Sequence, residues 1–326
     1  IPTHYYDDAF TAMRDSYLKE KRIPVILSPS RTFASPYIWK IVDAEYPLVC
    51  FSTSPYSCKT IGADQVYIKR RKRTWQASLE GSVSDDQAKI IRDLFPQVAL
   101  CKTPALTSLN NIGAIFHPGA YLMNYEEIQK RQKLGVPFSF YIEGIAQQPE
   151  IAGTIEEIDQ IRLKIANGLG IETFGLESDP KEEAWRKLTN GLRALEEEHE
   201  SDIEVLRLIR RQFLESIYGH VISAQHWLDL TYGVQRIPRE SLGDAIARTP
   251  TYQKMSLPQF RYVEEDVPTG LVPLEALANM LSIEHKVITD LIDKYENLFG
   301  VQARETGRNL RGFSESYTRD YLLGKI

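Results

Sequence analysis

Short apolar runs punctuated by prolines fill the first hundred residues, and long helical stripes fill most of the remaining chain. Pro24-Val25-Ile26-Leu27-Ser28-Pro29 and Leu48-Val49-Cys50-Phe51-Ser52 are too brief for helices and are apolar without a break over 24–27 and 48–51, the pattern of strands buried on both faces. Between and around them, residues 8–20, 36–43 and 85–95 place apolar side chains at helical spacing. Ala9, Phe10, Met13, Tyr17 and Leu18 line the first, and Ile90, Ile91 and Leu94 point inward from the third. Gln65–Ile68 and Thr74–Ser78 alternate as strands around the basic run Lys69–Arg73, which reads as a solvated hairpin turn. Strands alternating with short helices predict an α/β layer joined by right-handed crossovers.

From about residue 104 the texture becomes helical, over 155–169, 181–199, 202–218, 274–280 and 285–299. In the first of these, Ile158, Ile161, Ile165 and Leu169 form one stripe. Thr154 with Glu157 forms a capping box, and Gly168 and Gly170 end the helix. The predicted organisation is therefore an α/β domain over 1–103 and a helical domain over 104–326, in line with the usual size of about 150 residues per domain.

Composition narrows the class. The chain has 326 residues, 39 basic against 44 acidic, and a net charge of −5, which gives no general attraction to nucleic acid or anionic membrane. No apolar run reaches the roughly 18 residues of a membrane helix. Cys50, Cys58 and Cys101 are an odd set without C-x-x-C spacing, which suits a reducing compartment and offers no zinc site. A cytoplasmic protein is the expectation. His220 and His226 lie six apart, off the spacing of a helical metal pair.

Two distant stretches carry the chemistry. Asn110-Asn111-Ile112-Gly113-Ala114-Ile115-Phe116-His117-Pro118 offers one imidazole, with Pro118 expected to fix a turn. Arg261-Tyr262-Val263-Glu264-Glu265-Asp266-Val267-Pro268-Thr269-Gly270-Leu271-Val272-Pro273 offers a guanidinium and a carboxylate five positions apart, on an expected turn. A His oriented by an Asp, with an Arg to hold a carboxylate, is a usable acid–base site. The bland alternatives are a core histidine, a capping carboxylate and a surface arginine.

These stretches resemble the C-terminal half of the opine dehydrogenases, the octopine/nopaline dehydrogenase family. Ser28-Pro29-Ser30-Arg31 is similar to the family's N-P-G-R turn. Ser54-Pro55-Tyr56-Ser57-Cys58-Lys59 is similar to L-P-Y-A-C-R, Phe140-Tyr141-Ile142-Glu143-Gly144 to F-Y-x-E-G, and Asp159 to Arg162 to D-x-E-R. Gly307-Arg308-Asn309-Leu310 is similar to G-R-T-L, and the stretch Glu265 to Pro273 is the most specific match. The resemblance implies the second half of a Rossmann-type parallel sheet, then a mostly helical domain. His117 and Asp266 would be catalytic, and Arg261 and Asn111 would bind substrate. Asn110 or Asn111 would stand in for a family Asn whose usual place, four before the His, is Gly113 here. Pro55 and Cys58 would lie against the cofactor, NAD or NADP.

The implied activity is condensation of an amino acid with a 2-oxo acid and reduction of the imine, in a homodimer that binds neither nucleic acid nor membrane. A 2- or 3-hydroxy acid dehydrogenase on the same plan and a non-catalytic binding protein are the alternatives. A glycine-rich phosphate turn after the first strand is not found; Gly168-Leu169-Gly170 follows a helix. Residues 1–100 are thus expected to be the later half of a dinucleotide domain, in a protein cropped or fragmentary at its start.

Overall fold

The computed structural model describes residues 3–177, 181–217, 219–253 and 260–326. The chain forms two compact units that interleave along the sequence. One comprises Tyr5–Asn110, Pro180–His220 and Arg319–Ile326; the other comprises Ile1–His4, Asn111–Asp179 and Val221–Thr318. Three segments that the linear reading placed with 104–326, namely residues 104–110, Pro180–His220 and Arg319–Ile326, therefore belong to the unit that holds the sheet.

That sheet has four strands in the order β1-β2-β5-β6, with β1 Val25–Leu27, β2 Leu48–Phe51, β5 Trp75–Glu80 and β6 Val98–Cys101. β1 and β2 are parallel neighbours, Ile26 opposite Val49, joined through the helix Ala34–Ile41. β5 and β6 are parallel too, joined through Asp85–Leu94. Between β2 and β5 no helix intervenes, so no crossover can form and β5 runs antiparallel to β2. The sheet is accordingly mixed, two parallel pairs back to back.

The intervening chain makes its own two-stranded sheet, β3 Tyr56–Thr60 with β4 Val66–Arg71. The expected hairpin around Lys69–Arg73 is corrected here. β4 runs on through Arg71 and pairs with the preceding segment, and the Lys72 amide donates to the Pro55 carbonyl at 2.8 Å.

The helix Asp85–Leu94 is capped by Ser84 and Gln87, which exchange side-chain and backbone bonds, but it buries only part of the expected face. Ile91 is buried beside Ala88, whereas Ile90 and Leu94 are exposed. Ile90 and Ile91 are adjacent and so about 100° apart on a helix, and a narrow contact with the sheet takes only one of them. The helices Glu182–Glu198 and Ile203–Ser216 pack in this unit through Trp185 and Phe213, whose rings are 6.4 Å apart. Tyr218, expected at the end of the second, lies outside the described residues, as does the Tyr17 side chain of the first helical stretch.

The second unit is helical apart from β7 Glu172–Phe174 and Val221 and Ile222 of its partner strand β8 His220–Ile222. Its spine is Pro149–Gly168, which begins five residues before the expected Thr154 cap. Pro149 occupies the first turn, where its fixed φ and missing N–H cost nothing, so Thr154 falls inside the helix. The Ile158, Ile161, Ile165 and Leu169 stripe is buried as expected. Asp159 and Arg162 are also buried, paired at 2.6 Å. Arg162 donates to the Ile222 carbonyl and Asp159 accepts the Ala224 amide, so the pair fastens the spine to β8 and the helix after it. Among the described residues no helix is long and apolar enough to cross a membrane.

One buried acid in the sheet unit has a measurable consequence. Glu80 accepts from Ser78 and from Tyr321 at 2.6 Å, and burial pushes its carboxyl above the ordinary range. A carboxyl raised on folding contributes stability that is full below its unfolded pKa of about 4.3 and is lost as pH rises through the folded value. Glu80→Gln cannot ionise, so its Tm relative to wild type is expected to climb as pH rises from about 4.3 upward. A difference that stays flat across that range contradicts this reading.

Candidate active site

Both stretches singled out by their chemistry are helical, which corrects the two expected turns. His117 lies within the helix Gly113–Met123, and Pro118 sits inside it too. Pro118 has no N–H to give to the carbonyl of Ala114, one turn back. Asp266 ends the helix Arg261–Asp266, and the chain continues through a five-residue wide turn, Val267–Leu271, into Val272–Met280. Wide i→i+5 turns of this kind often occur at functional sites. Here the turn absorbs Pro268 without ending the helical run.

The close approach of these two helices is written in small residues. A Cβ built on Gly270 would lie 2.5 Å from the Cβ of Ala114, closer than any real pair of methyl groups. Three residues after Ala114 comes His117, and four before Gly270 comes Asp266. The helices therefore run antiparallel, and one turn from the Ala114–Gly270 contact they bring imidazole and carboxylate together. The wide turn is braced from outside: the Arg308 amide donates to the Pro268 carbonyl at 2.9 Å, and a Cβ on Gly307 would be 2.6 Å from that oxygen. Glu265 points the other way, accepting the Thr3 amide at 3.1 Å and its hydroxyl at 2.9 Å.

His117 Nδ1 lies 2.7 Å from Asp266 Oδ2, across 149 positions of sequence. The Asp266 side chain is 1% exposed and that of His117 16%. A carboxylate at Nδ1 makes that nitrogen the donor, which leaves Nε2 as the acceptor of the neutral ring. Nε2 has the Tyr141 hydroxyl at 3.3 Å. The Tyr262 ring stacks on the imidazole, 4.1 Å between centroids and 11° from parallel, and Phe140 lies 6.1 Å away.

Tyr141 is presented by a turn whose own residues hold it. Glu143 accepts the Ser139 amide at 2.7 Å and pairs with Arg131, and a Cβ on Gly144 would press the Phe138 ring at 3.2 Å. Burial pushes the hydroxyls of both Tyr141 and Tyr262 upward, so both stay protonated at neutral pH.

The other singled-out residues are placed differently. Arg261 is on the same helix as Asp266, but its side chain is 56% exposed and its guanidinium meets Glu265 at 4.0 Å, not the dyad. Asn111 is buried just before the His117 helix. Asn110 is engaged with Gln76 and the His220 carbonyl. Pro55 is buried before β3, and Cys58 is an exposed free thiol on it. His226 is buried against the Ser223 hydroxyl at 2.6 Å, an internal bond of its helix start. Among the described residues no cluster of His, Cys, Asp and Glu could hold a metal.

Sequence reasoning missed the two tyrosines. Tyr262 precedes Asp266 by one helical turn, a signal hidden by reading the segment as a turn.

The crossing can be tested by itself. Gly270→Ala forces the helices apart and is expected to cost about 1–3 kcal/mol of stability, the usual penalty of overpacking. Gly153→Ala is the control, at a helical position where a Cβ meets nothing within 4 Å. It is expected to stabilise by about 0.5–1 kcal/mol. Denaturant melts of both decide it, and equal effects contradict the close crossing.

Residues 100–299 match the family model described as NAD/NADP octopine/nopaline dehydrogenase, alpha-helical domain, a span that contains both His117 and Asp266. An opine dehydrogenase of Arthrobacter sp. (strain 1C) is 23% identical over 303 residues, covering 90% of this chain and 68% of that protein. Octopine dehydrogenase solved with NADH and L-arginine aligns with a TM-score of 0.65 at 17% identity, over 100% of this chain and 77% of that one. Yersinopine dehydrogenase with NADP+ bound aligns at 0.53 and 15%, over 99% and 73%. The structural matches establish a shared fold, a Rossmann-like sheet unit with a helical unit. With the family model covering more than half of its length, the chain belongs to the NAD/NADP octopine/nopaline dehydrogenase family.

Proposed function

We propose that this chain handles the amine and the carbonyl in an opine-type oxidoreductase acting on CH–NH bonds: an amino acid condenses with a 2-oxo acid, and NADH or NADPH reduces the imine. The observation that carries the reading is the His117–Asp266 bond of 2.7 Å. An amino acid arrives as an ammonium, and only the neutral amine attacks a carbonyl. His117 Nε2 accepts the ammonium proton, and Asp266, holding Nδ1–H, stabilises the resulting imidazolium. Arg261, one position from Tyr262, would take a substrate carboxylate with its planar fork, and Asn111 would help to orient it. The odd, unpaired cysteine set supports a cytoplasmic location, and the family resemblance supports a homodimer.

The fit of a dinucleotide to these residues is partial. In open sheets, ligands bind beyond the carboxyl ends of parallel strands. β1 and β2 end side by side at Leu27 and Phe51, and lead into the segments Ser28–Arg31 and Ser52–Pro55, with Cys58 just beyond on β3. Ser30 N–H donates to the Phe51 carbonyl at 2.9 Å, fixing one turn against the other strand. The glycine-rich phosphate cradle is not part of this sequence. When bound, the dinucleotide supplies the hydride.

The test uses the full-length protein with NADH or NADPH and pyruvate, with and without a mixture of amino acids. Cofactor oxidation is expected only when both substrates are present. His117→Ala should lower kcat by about 10²–10⁴, the range of a positioned acid–base group. Arg261→Lys keeps the charge but not the fork, and should raise KM for one substrate. Oxidation at an undiminished rate with pyruvate alone would mark a hydroxy acid dehydrogenase instead.

A further inference from the structure

With Nδ1 committed to Asp266, proton traffic at His117 passes through Nε2, and a phenol already stands there. The Tyr141 hydroxyl is 3.3 Å from Nε2, longer than the ordinary range for such a bond and of the kind that tightens once substrate is present. The phenol is not free to swing aside. Its ring stacks on Tyr252 at 3.9 Å and 11°, and meets Phe140 edge-on at 5.2 Å. The Tyr141 carbonyl accepts the Ala146 amide at 2.9 Å, and the next turn of chain is pinned by Glu143. Tyr262 covers a face of the imidazole. A molecule approaching Nε2 within the ring plane therefore meets the Tyr141 oxygen first.

We propose that Tyr141 is a catalytic residue, the proton carrier between His117 and the substrate in the dehydration that forms the imine. This rests on the functional reading above. After the amine has added to the 2-oxo acid and a proton has passed from its nitrogen to the new alkoxide, the neutral carbinolamine must lose its hydroxyl. The Tyr141 O–H protonates that oxygen, the C–O bond breaks with its electron pair leaving as water, and the nitrogen lone pair forms C=N. The Tyr141 oxygen takes the Nε2 proton of His117, and Nδ1–H stays with Asp266. The proton that restores the phenol is the one His117 first removed from the ammonium, so Tyr141 and His117 both end as they began and the sequence balances without an outside acid.

A hydroxyl suits this role because one oxygen both donates and accepts. Burial penalises a tyrosinate here, and Tyr262, Tyr232 and Asp266 add to the penalty. Gain and loss of the proton are therefore concerted, and the phenol passes charge without storing it.

Tyr141→Phe removes the oxygen and keeps the stacked ring. In the two-substrate assay its kcat is expected to fall by about 10²-fold, with both KM values within about twofold of wild type. The curved solvent-isotope inventory of a two-proton relay should become linear. In ¹⁵N-labelled protein the Nε2 resonance of neutral His117 should move downfield as it loses its donor. Tyr141→Leu, which also removes the stack, separates packing from proton transfer. Wild-type turnover in Tyr141→Phe with loss only in Tyr141→Leu overturns the relay. If the wild type itself fails to need both substrates, the functional reading falls and takes the relay with it. If the wild type passes and Tyr141→Phe equals it, the relay alone falls.

Discussion

Everything at this site depends on two helices being allowed to touch at Ala114 and Gly270. With no side chain on one helix and a methyl on the other, the axes approach closely enough for His117 and Asp266 to bond at 2.7 Å one turn away. A carboxylate 1% exposed is costly to bury, and it is tolerable only with a partner that satisfies it. The imidazole is a partner for Oδ2, so the contact that forms the dyad also relieves part of the cost of burial. The wide turn at Val267–Leu271 and the Gly307-Arg308 brace hold the crossing from outside.

Around that crossing, each recurrent motif has a separable task. In Glu265-Asp266, the first carboxylate anchors Thr3 and the second orients His117. In Phe140-Tyr141-Ile142-Glu143-Gly144, Glu143 and Gly144 build the turn and Tyr141 is what the turn displays. Asp159 and Arg162 are purely internal, a buried pair that joins the spine helix to β8. Motif membership therefore does not separate chemistry from scaffolding; the direction in which each side chain points does.

The same distinction explains what could be read from the sequence. Strands β1 and β2 were legible because runs apolar at every position fit little else, and the 158–169 stripe because its spacing is helical. The linkage of His117 to Asp266 was legible as residue types but not as geometry. Pro118, Pro268 and Pro273 signal turns locally, and tertiary packing carried helices through all three. That error hid Tyr262, whose position one turn before Asp266 matters only on a helix. The β4 register was missed because Lys69–Arg71 have the composition of a loop, while pairing with β3 decides their structure. The exposed Ile90 and Leu94 show the limit of apolar counting, since a helix on a sheet buries a stripe and not every apolar side chain.

The central claim is that His117 and Asp266 act as one proton-handling unit. A double-mutant cycle with His117→Ala and Asp266→Asn, read as kcat for amine-dependent cofactor oxidation, measures it directly. Residues that work as a unit lose their function together, so the double variant should be no slower than the slower single variant. Losses that multiply, or an Asp266→Asn variant turning over at the wild-type rate, would contradict the account.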